Sequence, residues 1–201
     1  MPASGRPGLA VPADLPLPRE RAKALYGPAQ IAGYLALADA QPALERRMRA
    51  AALVCLGAGA GLIRSDLREV RGTDVACRSD GVIVRGARPR TVPVLARYHA
   101  RLLAAARSAG NGLVCGGSDP ARRNLTNPLI RALDGGSGLP RLDTSRLRAT
   151  WLAGCAEHLG LATFMHAAGI SCSQRLGDLV AGLEPGAEAE AVRLLGAARQ
   201  R

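Results

Sequence analysis

The sequence predicts a mainly α-helical fold that carries a small antiparallel β-sheet (α+β). Three observations lead there. Of the 201 residues 48% are apolar, yet only one is Phe and one is Trp, Trp151. Ala, Leu and Val must therefore fill the core, and Ala and Leu lose least on entering a helix. Segments with apolar residues at helical spacing recur along the chain. One central stretch, 81–94, is instead rich in β-branched residues on either side of a basic turn.

Residues 1–24 read as an extended or disordered arm rich in Pro, Gly and Ala, and the fold occupies 25–201. Pro28–Ala40 sets Ile31, Leu35 and Ala38 at helical spacing, and Pro42 ends it. A second helix runs from Leu44 to about Gly57, with Met48, Ala52, Val54, Cys55 and Leu56 inward and Glu45, Arg46, Arg47 and Arg49 in solvent. Ser65 is placed to cap a short helix, Asp66–Val70. A strand near Asp74–Cys77 precedes a hairpin of Gly81–Arg85 and Thr91–Val94, whose tip Gly86–Arg90 is basic. Helix returns over Leu95–Ala109 and Asn124–Leu133, with a brief extended piece at Leu113–Cys115 and a loop at Asp134–Gly138. Thr144 or Ser145 caps a helix through His158, which Gly160 closes. Leu161–Ala168, Ser173–Leu183 and, after Glu184-Pro-Gly, Ala187–Arg199 complete the helices. Trp151 and Phe164 are the expected core anchors.

Charge points to the partner. Lys and Arg number 27 against 16 Asp and Glu, a formal +11, and the pI is about 10.8. Lys23 is the single lysine. A GC-rich codon bias accounts for arginine in place of lysine but not for the net excess. Such a balance attracts polyanions, nucleic acid first. No basic amphipathic helix presents a bulky aromatic face, so a membrane surface is not expected. The proline-broken first twenty residues are neither signal peptide nor membrane helix. Cys55, Cys77, Cys115, Cys155 and Cys172 are odd in number and lack a C-x-x-C pair, which fits reduced thiols in the cytoplasm, several of them in the core. His99, His158 and His166 have no ligand spacing with them, so neither metal nor cofactor is expected.

Gly57-Ala-Gly-Ala-Gly61 invites a dinucleotide-loop reading, but G-x-G-x-x-G requires glycine where Leu62 stands, and the preceding segment is a helix rather than a strand. No G-x-x-x-x-G-K-[ST] occurs either. The string reads instead as a helix end packed closely on a neighbour.

More informative is Ala58-Gly-Ala-Gly-Leu-Ile-Arg-Ser-Asp-Leu67, followed by the basic hairpin ending Arg90-Thr-Val-Pro-Val94 and then by Ser145-Arg-Leu-Arg-Ala-Thr-Trp-Leu152. In content, order and spacing these strings resemble the catalytic domain of the tyrosine recombinases, the phage-integrase family, from about Tyr26 to Leu183. That family reads T-G-L-R-x-S-E-L, a hairpin with a lysine near its tip and R-x-V-P-L, then H-x-L-R-H-x-x-A and L-G-H-x-x-x-x-T-x-x-Y. Its tyrosine attacks a DNA phosphate, two arginines hold the phosphate oxygens, and a lysine and histidines move protons.

Matched position by position, the resemblance implies a damaged centre. The first arginine falls on Ile63, with Arg64 one place later. The second falls on Arg148, while the flanking histidines fall on Ser145 and Ala149. Arg85 or Arg88 stands where the lysine is expected, and arginine holds its proton too tightly to act as an acid. His166 lies near the later histidine, and the tyrosine position is Leu176, after Arg175. Tyr26, Tyr34 and Tyr98 are the only tyrosines, and all three precede the final helices. Cys172 and Ser173 have no base placed beside them.

These matches imply a DNA-binding protein without strand-cutting chemistry, holding backbone phosphates through Arg64, Arg85, Arg88, Arg148, Arg175 and His166. An active recombinase with a displaced or partner-supplied tyrosine is one alternative. A protein-contact domain, or a remnant of a mobile element, is the other. The helix at 187–199 is the expected surface for any homo-oligomer.

Overall fold

The computed structural model describes residues 24–85, 91–117, 121, 125–134, 138–159 and 161–168. Expectations for residues 1–23, the hairpin tip 86–90 and the helices at 173–183 and 187–199 lie outside the described residues.

Helices α1 (Pro28–Asp39) and α2 (Leu44–Ala60) are followed by the single turn α3 (Arg64–Leu67). Strands β1 (Val75–Arg78), β2 (Gly81–Val84) and β3 (Val92–Pro93) come next, then α4 (His99–Ala109), α5 (Asn127–Ala132), α6 (Thr144–His158) and α7 (Leu161–Ala168). Mostly helix with one small antiparallel sheet, this is the architecture expected from the sequence.

The fold is organised around α2. Its residues from Ala50 to Ala60 are all buried, because α1, α4, α5 and α6 pack around it. A helix that is apolar on every side belongs in the interior. It runs three residues past the expected end at Gly57, because the glycines are contact points rather than breakers. A Cβ on Gly57 would stand 2.6 Å from Leu147 Cδ1, and one on Gly59 2.7 Å from Tyr98 Cδ2. The helix stops at Gly61, which takes φ +62°. There Gly61 N donates to Gly57 O and Leu62 N to Leu56 O, each at 3.1 Å, a paired C-terminal closure that a left-handed glycine permits. The glycine string thus lets α6 and the turn before α4 sit against α2, as the packing reading of the sequence expected.

The sheet has the order β1-β2-β3, with Val75 opposite Val84 and Val84 opposite Val92. Alternation along β2 buries Val82 and Val84. Leu95 N donates to Gly59 O at 2.9 Å, so the hairpin's exit is tied to the C-terminal end of α2. Trp151 and Phe164 are buried, as expected of core anchors.

Several boundaries moved. The third helix is Arg64–Leu67, not Asp66–Val70, because the Asp66 carboxylate turns back to accept from Ile63 N at 2.9 Å and starts the turn earlier. The cap of α6 is Asp143 rather than Thr144 or Ser145: Asp143 Oδ1 accepts from Ser145 N at 2.8 Å, while Thr144 is buried. A short 3-10 turn, Ala96–Tyr98, precedes α4 where continuous helix was expected, and α5 is shorter than Asn124–Leu133. Met48 and Arg49 on α2 are half-buried, where one was expected inward and the other in solvent. Among the described residues no helix is long and apolar enough to cross a membrane.

Cys55, Cys115 and Cys155 are buried free thiols, and Cys77 is exposed. Burial pushes Cys55 and Cys115 up to about 12 and Cys155 up to about 11. A thiol whose folded-state value is raised keeps its proton in the folded chain while the unfolded chain releases it. Stability therefore falls as pH rises above the ordinary thiol value of 9.0. Buried Tyr34 and Tyr98, both raised by burial, act in the same direction. The expected result is a denaturation midpoint that drops above about pH 9. In the native chain at pH 8, Cys77 should take an alkylating reagent well before Cys55, Cys115 and Cys155, which peptide mass analysis reads directly.

Candidate functional site

An open groove of about 420 Å³ lies where α3 meets the N-terminal end of α6, walled by Ile63, Arg64, Ser65 and Arg68 on one side and Asp143, Thr144 and Ser145 on the other. These stretches are some eighty residues apart in sequence, and they belong to two of the three strings that carried the family resemblance. The buried α2 brings them together: it delivers the chain at Gly61, and α6 packs along it against Gly57.

Arg64 stands one place after the family's arginine position, and a step along a continuous helix would turn a side chain by about 100°. Residues 61–63 are not helical. Ile63 and Arg64 both line the groove. Arg68 follows Arg64 by four residues and shares its side of the turn. Sequence reasoning missed Arg68; its spacing from Arg64 was the available signal. Ser145, at the position of a family histidine, is exposed on the facing wall.

Arg148 is half-buried one turn further along α6. Its guanidinium donates to Gly61 O at 2.6 Å and to Ala168 O at 2.9 Å, clasping the end of α2 and the end of α7 to α6. Ala149 beside it is half-buried. His166 falls on α7, but its side chain lies outside the described residues, as do Arg88, Arg175 and Leu176. Arg85 is exposed at the end of β2, and its backbone N donates to Asp74 O at 3.0 Å.

The tyrosines are structural. Tyr34 is wholly buried and its hydroxyl donates to Pro140 O. Burial raises its pKa, with the Tyr26 hydroxyl adding to the effect. Tyr26 donates to Arg141 O at 3.1 Å and accepts from Asp143 N at 2.9 Å, so it fixes the groove's far wall. Tyr98 packs on Gly59. None offers a solvent-facing phenol.

No family model matches the sequence, and neither does any curated protein sequence. Among solved structures, XerA recombinase superposes with a TM-score of 0.61 at 14% identity, over 97% of this chain and 67% of that one. The chain has a tyrosine-recombinase-like fold. Within this recombinase-like fold, the groove supplies two guanidinium groups, Arg64 and Arg68, and the hydroxyl of Ser145, with the Asp143 carboxylate committed at Oδ1 to the helix cap. Guanidinium groups suit phosphate oxygens, which they contact in a bidentate fork. Among the groove's described residues none is a lysine, histidine or tyrosine, and no cluster of metal-ligating side chains occurs among the described residues.

Proposed function

We propose that this chain is a DNA-binding protein that grips duplex backbone phosphates at the groove between α3 and α6 and does not cut the strand. One observation carries the reading: two of the three segments that resemble the recombinase motifs form opposite walls of one groove, and arginines line it. Arg64 and Arg68 hold phosphate oxygens directly. Arg85 adds exposed charge, the family resemblance implies Arg88, Arg175 and His166 as further phosphate contacts, and Arg148 adds its charge while clasping the groove's support. Strand cutting is absent because Leu176 occupies the tyrosine position and Tyr26, Tyr34 and Tyr98 are buried.

The test is the anisotropy of a labelled duplex titrated with protein at several salt concentrations. Log affinity should fall linearly with log salt, by about 0.9 for each phosphate neutralised. Arg64→Ala and Arg68→Ala should each weaken binding several-fold and make that slope shallower by about one. A chain that ignores DNA at low salt overturns the proposal. On a nicked substrate that traps covalent intermediates no adduct should form; an adduct abolished by Tyr26→Phe, Tyr34→Phe or Tyr98→Phe establishes the active-recombinase alternative instead.

A further inference from the structure

The α6 wall of the groove holds a polar group that the fold leaves unused. Thr144, the first residue of α6, is only 4% exposed, and it lines the groove. Its hydroxyl has no hydrogen-bond partner among the described residues, where the one fully covered side-chain polar atom without a partner is Trp151 Nε1. The Thr144 hydroxyl therefore keeps an opening, and the groove is the space that Thr144 lines. A nearly buried hydroxyl left without a protein partner points to a bound one. Beside it stand the exposed Ser145 and the start of α6, the positive end of a fifteen-residue helix. On the opposite wall Arg64 and Arg68 also have no partner among the described residues. Asp143 is the one anion in the groove's described lining, and its Oδ1 accepts from Ser145 N at 2.8 Å.

We propose that the groove receives a terminal phosphomonoester of DNA: one oxygen accepts from the Thr144 and Ser145 hydroxyls, and the others accept from the Arg64 and Arg68 guanidinium groups. This inference rests on the proposed DNA-binding function and narrows its ligand from any backbone phosphate to a strand end. Charge and shape both favour the monoester. A backbone diester carries one negative charge, is tied to a sugar on each side, and has two free oxygens. A monoester carries about −1.5 to −2 at pH 7 and presents three free oxygens. It hangs from a single ester bond, so it can pass between the walls to the recessed Thr144 while two cations meet it on the other side.

The full chain is titrated, at physiological salt where scattered backbone contacts weaken, with three labelled duplexes of one sequence. They end in 5′-phosphates, in 3′-phosphates or in hydroxyls alone. One phosphorylated form should bind about tenfold more tightly than the hydroxyl-ended form, and which one it is identifies the strand end. Thr144→Val keeps the shape without the hydroxyl and should cut that preference several-fold, and Ser145→Ala should cut it less. Thr144→Ser, which restores the hydroxyl, should keep the preference and so separates its loss from any loss of folding. Equal affinity for all three duplexes overturns the strand-end reading and leaves the groove's grip on backbone phosphates standing. A preference untouched by both Thr144→Val and Ser145→Ala overturns it as well. A chain that binds none of the three overturns both.

Discussion

Gly61→Ala is expected to destabilise the chain by about 3 kcal/mol, the sum of a left-handed backbone penalty of about 1–2 and an overpacking cost of about 1–3. Gly61 takes φ +62° at the end of α2, and an added Cβ would stand 2.2 Å from Trp151 Cε3. Trp151 is fully buried on α6, so the ring has nowhere to retreat without shifting that helix against α2. For a domain of this length the loss corresponds to a fall of roughly 6–12 °C in the thermal midpoint. Gly154→Ala supplies the contrast. It lies inside α6, where an added methyl group would meet nothing within 4 Å, and the same change there should raise stability by up to about 1 kcal/mol. Equal effects at the two positions would contradict the close-contact account. The variant Gly61→Ala/Trp151→Phe should cost less than the sum of its parts, since the smaller ring relieves the clash. Among the described residues Trp151 Nε1 has no hydrogen-bond partner, so phenylalanine gives up none there.

Arg148→Ala is expected to lose both structure and DNA affinity. Its two hydrogen bonds, to Gly61 O and Ala168 O, hold the turn that presents Arg64 and the end of α7. Bonds to a charged donor are each worth about 1.5–3 kcal/mol, so a stability loss of about 3 kcal/mol is expected. Hydrogen exchange should localise it, with amides of 161–168 losing protection before those of α1. Arg148→Met keeps most of the stem and isolates the guanidinium. Arg148→Lys keeps the charge but lacks the planar fork that spans two carbonyls, and should recover only part of the stability. If Arg148→Met leaves the thermal midpoint unchanged while DNA binding falls, the clasp is not what the guanidinium does.

The departures from the recombinase motifs were legible one position at a time. Ile63, Ser145, Ala149 and Leu176 differ from the recombinase motifs in chemistry that no folding restores: no arrangement gives isoleucine a charge or leucine a nucleophile. Less legible was what survives. Arg68 drew no notice in the sequence because an arginine four residues after another is common on any solvated helix. Arg148 matched a phosphate-binding position, yet two of its donors serve backbone carbonyls, and that division of labour depends on where two other helices end.

The sequence by itself determined the helical composition, the single small sheet, the core roles of Trp151 and Phe164, the contact role of the glycines after Leu56 and the absence of a tyrosine at 176. All of these follow from residue chemistry or from periodicity within a few turns. Tertiary structure alone decided that 63–68 faces 143–145, that the step from Ile63 to Arg64 keeps both on one groove, and that all three tyrosines are interior. It also moved the cap of α6 to Asp143, where the Tyr26 hydroxyl meets the backbone. Those outcomes depend on α2 being enclosed by helices distant in sequence and on a non-helical link at 61–63, and local patterns carry no information about either.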